Sequence, residues 1–163
     1  MIKQFKIVEN EYFTGRMAHI YTIQLEDDEL TLLQHFFNDN EQYETDLKNI
    51  LEKLTVMGQN SGCRSHYFKH EEGRPGDGVA ALKAGHLRLY CLYFDRTAVF
   101  FGSGGYKPPE ARAYQDVPEL NEKAEQMKEI AAMINKAIIE KDIVINDDGS
   151  ITGSLTINNL DYD

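Results

Sequence analysis

The stretch VAALKAGHLRLYCLYFDRTAVFFGSGGYK, Val79 to Lys107, decides the fold. It holds two apolar runs, Leu87 to Phe94 and Ala98 to Phe101, joined by a polar turn at Asp95-Arg96-Thr97. Runs rich in aromatic and branched residues between turn signals read as the two strands of a hairpin. Side chains alternate across a strand, so Leu87, Leu89, Cys91 and Tyr93 share one face, and Arg88, Tyr90, Leu92 and Phe94 the other. Two strands this apolar need a sheet covered on at least one face. Gly102-Ser103-Gly104-Gly105 could offer backbone N–H groups to a phosphate. Pro108-Pro109 follows it instead of a helix, which favours a flexible strand exit.

Upstream, residues 2–8 alternate weakly as a short strand, and 10–16 form a turn region. His19 to Leu25 is a better strand, β-branched and aromatic throughout. Asp27-Asp28 signals a helix start, and Leu30, Leu33 and Phe37 place a helix over about 28–38. A second helix is expected over about 41–57, ended by Gly58. Residues 65–70 form one further candidate strand, and 71–78 read as a loop. Downstream, Asp116, Pro118 and Glu119 open a long helix that runs to about residue 140. Its stripe of Leu120, Ala124, Met127, Ile130, Ala131, Ile134 and Ile138 reads as core. The tail reads as a hairpin, Ile143 to Ile145 and Ile151 onward, turned at Asp148-Gly149, with 154–157 extending it. Residues 158–163 are acidic and read as loose.

These elements predict an α+β fold: a small antiparallel-rich sheet, two N-terminal helices, one long C-terminal helix, and a C-terminal β-hairpin extension. Residues 1–141 are expected as a single domain and 142–163 as an appended tail. A chain of 163 residues can bury a real core. No apolar run approaches the roughly 18–20 residues that span a bilayer, and the first residues carry no secretory h-region. Cys63 and Cys91 suggest neither a disulfide framework nor a zinc site. His66 and His70, four apart on a strand or loop, do not form a metal pair. The expectation is a cytoplasmic protein without membrane partner, metal or cofactor.

The net charge is −10, but it is unevenly spread. Ser61 to Arg112 holds eight Lys and Arg against five acids, a net +3, and the remainder carries −13. In an antiparallel hairpin the start of the first strand and the end of the second are neighbours. Arg88 and Lys107 should therefore meet at one end of the sheet, with Lys83, His86 and Tyr106 nearby. Such a cluster can hold a phosphodiester, Arg bidentately and Lys as a point charge. Equally, Arg88 could pair with a helix acid and Lys107 be solvated; spacing alone leaves both readings level.

The order strand, two helices, loop, then Leu82-Lys-x-Gly-x-x-Arg88-Leu-Tyr, Val99-Phe-Phe-Gly and Gly105-Tyr-Lys107-Pro-Pro before a helix resembles the RelE/ParE-like toxin superfamily, closest to its phage-derived, HigB-like branch. That resemblance covers about residues 17–140 and implies helices packed on one side of the sheet. It also implies a toxin of a type II toxin–antitoxin system, a metal-independent mRNA endoribonuclease that promotes attack of a ribose 2′-OH on the adjacent phosphate. On this reading Arg88, Lys107 and Lys83 are catalytic, and Tyr106, His86 and Tyr90 are substrate contacts. The implied partners are a cognate antitoxin and mRNA on the ribosome, and a homo-oligomer is open. The alternatives are a non-catalytic protein-interaction module on the same fold and a gyrase inhibitor of the ParE type. The acidic tail is expected either to cover the basic end of the sheet or to form a partner contact.

Overall fold

The structure, a computed structural model, describes residues 1–70, 72 and 76–159. It is α+β, but the sheet is neither small nor simply antiparallel. Among the described residues, seven strands line up in the order β3-β4-β5-β6-β2-β1-β9. They are β1 Gln4–Glu9, β2 His19–Leu25, β3 Phe68–His70, β4 Val79–Ala84, β5 Leu87–Asp95, β6 Ala98–Tyr106 and β9 Thr156–Asn158. All neighbours are antiparallel except the central pair, where β2 runs parallel to β6 with Tyr21 opposite Phe100. Those two rings stack at 5.1 Å. A second, two-stranded sheet joins β7 Ile143–Ile145 to β8 Ile151–Gly153.

Helices cover both faces, which corrects the expectation of packing on one side. α1 (Leu32–Asp39) and α2 (Glu44–Val56) bury Leu33, Phe36, Ile50 and Leu54 against Leu82, Leu89, Cys91 and Phe101. α3 (Pro118–Ile139) buries Leu120, Ala124, Met127 and Ile130 against Tyr90, Leu92 and Phe100 on the opposite face. Each large apolar side chain buried this way contributes roughly 1.5–3 kcal/mol, so the alternation of β5 organises two cores.

Several local readings shift for identifiable reasons. α1 starts at Leu32, not 28, because Thr31 caps it: Thr31 Oγ1 accepts from the Gln34 N–H at 3.2 Å, and Gln34 Oε1 accepts from the Thr31 N–H at 2.8 Å. The Asp28 carboxylate instead closes a turn, accepting from Leu30 N–H and the His35 ring, which holds it below the usual carboxylate range. β4 was hidden in the sequence: it is short and alanine-rich, and both its faces are covered, so it shows no alternation. Gly102 to Gly105 is not a strand exit but the second half of β6. A Cβ on Gly104 would overlap the Arg88 carbonyl, so glycine there permits close backbone approach beside a bulge between Leu89 and Cys91.

Beyond α3, the β7–β8 hairpin is pinned by Tyr21, whose hydroxyl donates to the Gly149 carbonyl at 2.7 Å. β9 then pairs with β1 and forms the edge of the main sheet. This edge is the far one from β3 and β4, so residues 142–159 do not cover the basic end of the sheet. Residues 160–163, Glu71 and residues 73–75 lie outside the described residues, and with them Arg74 of the basic block. Among the described residues no helix is long and apolar enough to cross a membrane.

Candidate functional site

Strand register gathers the cations. Lys83 stands directly opposite Arg88, and Arg88 opposite Gly105. Lys69 stands opposite Ala81, and Ala81 opposite Tyr90. Directly opposed residues share a face, so Lys69, Lys83, Arg88 and Tyr90 all belong to the α3 face of the sheet. Lys107 follows β6 there, its N–H donating to the His86 carbonyl at 2.7 Å.

Arg88, Tyr90, Lys107 and Lys69 line one cavity of about 190 Å³, closed by Glu72 and the 3-10 turn at Tyr114–Asp116. At about 30 Å³ per water, it holds several waters or one compact anion. Arg88 is half-buried, and its Nη1 donates to the Gly85 and Leu87 carbonyls at 2.7 and 2.9 Å. Among the described residues no carboxylate lies in ion-pair range of Arg88 or Lys107. Lys107 Nζ donates to the Arg112 carbonyl at 3.3 Å. Desolvation, then the charges of Arg88, Lys69 and Lys83, lowers its pKa. Among the described residues the one acid on the wall is Glu72, side chain 8% exposed, with Oε1 3.5 Å from Lys69 Nζ.

The Tyr90 hydroxyl is the odd group beside this cavity. The residue is 1% exposed, yet its oxygen has no hydrogen-bond partner among the described residues. Burial, with Glu72 and Tyr114 nearby, raises its pKa, so at neutral pH it is a donor and not a base. A buried hydroxyl left unpaired costs about 1–3 kcal/mol. Among the described residues the wall therefore carries three cations, one acid and one unsatisfied donor, a set suited to an oxyanion.

The expected site residues do not all assemble. Arg88, Lys107 and Tyr90 share the cavity. Lys83 is exposed beside it, acts on Lys107 through charge, and borders a separate open cleft of about 530 Å³ against α2. Tyr106 and His86 fall on the other face. Tyr106 stacks on Tyr43 of the α2 side at 4.5 Å, and the His86 ring sits 5.4 Å from Tyr106. His86 is also tied by its backbone N–H to the Asp46 carboxylate at 3.0 Å. Lys69, Glu72 and Tyr114 escaped the sequence reading. The signal available for Lys69 was its place on a short strand in the basic block; nothing in the sequence pointed to Glu72 from inside a polar loop.

Among the described residues no cluster of His, Cys, Asp or Glu could hold a metal ion. His70 is engaged by Ser65, its Nε2 lying 2.8 Å from the Ser65 carbonyl. Burial pushes the Cys63 thiol up to about 12 and Cys91 well above its ordinary value, so neither is a thiolate nucleophile at neutral pH. No family model, no curated protein and no solved structure matches this chain.

Proposed function

We propose that this protein binds the phosphate backbone of RNA at the Arg88–Lys107 cavity and acts as a metal-independent endoribonuclease toxin. The observation that carries the reading is a half-buried arginine and a lysine on one cavity wall, neither paired with a carboxylate among the described residues. In this reading Arg88 and Lys107 hold the phosphate and stabilise charge that develops on it. Lys69 adds a third cation from β3. The 2′-O–P bond forms as the P–O5′ bond breaks; Glu72, the acid on the described wall, takes the 2′-OH proton, and the departing 5′ oxygen takes one from solvent. His86 and Tyr106, on the opposite face, take no part in proton transfer.

Induced expression should arrest growth, and the purified protein should cleave RNA in excess chelator. Arg88→Ala should relieve both while keeping the folded circular-dichroism spectrum. Undiminished growth with abundant folded protein would sink the toxin reading.

One observation favours a second reading. α3 packs across the same sheet face as Tyr90, and the cavity lies at the strand ends beside it. A non-catalytic module that captures an anionic group there would use the same residues. Salt-sensitive RNA binding without cleavage selects it.

A further inference from the structure

We propose that Lys69, Arg88, Lys107 and the Tyr90 hydroxyl form one oxyanion site that takes a tetrahedral phosphate group, with Glu72 competing for the same cations. The inference deepens the phosphate-binding part of the function above and does not depend on cleavage.

Two independent observations meet at this place. Among the described residues the cavity wall carries three cations against a single acid. A buried hydroxyl on the same wall lacks any acceptor among the described residues. A phosphate oxygen supplies that acceptor, and its remaining oxygens face the cations. The Tyr90 donor is held rigid: its ring packs edge-on to Tyr114 at 5.9 Å, and Tyr114 is itself anchored by donating to the Glu72 carbonyl at 3.0 Å. Glu72 is already drawn toward Lys69 at 3.5 Å. An entering phosphate therefore displaces a carboxylate from Lys69, and removing that negative charge should favour the ligand. Tyr90 then becomes a specificity-determining residue that rewards an acceptor oxygen, where the lysines reward only charge.

The test is titration calorimetry on the full chain with inorganic phosphate, adenosine 5′-monophosphate, the dinucleotide ApA and chloride. Phosphate and the monophosphate should bind in the wild type, and chloride should not compete at equal ionic strength. Tyr90→Phe, which keeps the ring, should weaken phosphate about three- to tenfold, the worth of one hydrogen bond. Glu72→Gln should tighten it, and Arg88→Ala should abolish it. Absence of phosphate binding in the wild type, or Tyr90→Phe binding as the wild type does, overturns the site. ApA binding as tightly as the monophosphate identifies an internal diester as the ligand and keeps the site. Phosphate binding with these variant effects but without RNA cleavage leaves the site standing and removes the ribonuclease. RNA cleavage that phosphate does not inhibit removes the site and leaves the ribonuclease.

Discussion

Lys107 shows what the clustering of like charges does to a single side chain. Its ammonium is partly desolvated and stands near Arg88, Lys69 and Lys83, and both effects disfavour the protonated form. It should therefore release its proton at a lower pH than an ordinary lysine. Anion affinity should fall as pH rises through that lowered value, because the cavity loses one of its charges. Removing a neighbouring charge reverses part of the effect. Lys83→Gln should raise the Lys107 pKa, read from the pH titration of its 13Cε resonance, and bound phosphate should raise it further by linkage. A Lys107 titration that ignores both changes would show that these cations do not share a field. At this scale Arg88 and Lys107 were legible, because hairpin register follows from alternation. Lys69 and Glu72 were not, since their approach depends on β3 and β4, which the sequence barely marks.

Among the elements, β6 carries the most consequence for the site. Its second half is glycine-rich, and Gly104 lets the β6 backbone approach the Arg88 carbonyl closely. Gly105 stands opposite Arg88, and a Cβ there would lie 3.4 Å from a methyl of Leu120. Gly104→Ala forces a Cβ into the Arg88 carbonyl, so β5 and β6 must part. The expected cost is about 1–3 kcal/mol, an overpacking penalty, read as a lower denaturation midpoint with unchanged m-value. Phosphate affinity should fall with it, because Arg88 moves with its strand. An alanine variant as stable as the wild type would refute the close approach. The same glycines misled the sequence reading, since Gly-rich composition signals flexibility and close packing alike. Helix α3 was legible from its stripe of apolar residues at helical spacing, which reports burial. Which face of the sheet it covers is not encoded in that spacing.

Across the whole molecule, the parallel pairing of β2 with β6 joins residues about eighty positions apart in the chain. No local pattern announces such a pairing, and it is what turned an expected small antiparallel sheet into a seven-stranded mixed one. It also separates two ends. The cationic cavity sits by β3, β4 and β5, and β9 closes the opposite edge beside β1. Ile157 of β9 is 5% exposed and packs in the same core as Phe5 and Ile7. Ile157→Ala should cost about 2–5 kcal/mol, the range for a buried isoleucine cut to alanine, a large part of a typical 5–15 kcal/mol total. Phosphate affinity at the cavity should stay within about twofold, because three strands separate β9 from β5 and effects at well-separated sites add independently. Calorimetry and thermal melting on the same variant measure both. A lost melting temperature with intact phosphate binding would place β9 as a stabilising edge strand. Phosphate binding that weakened in step would mean that the edge and the cavity are coupled through the sheet.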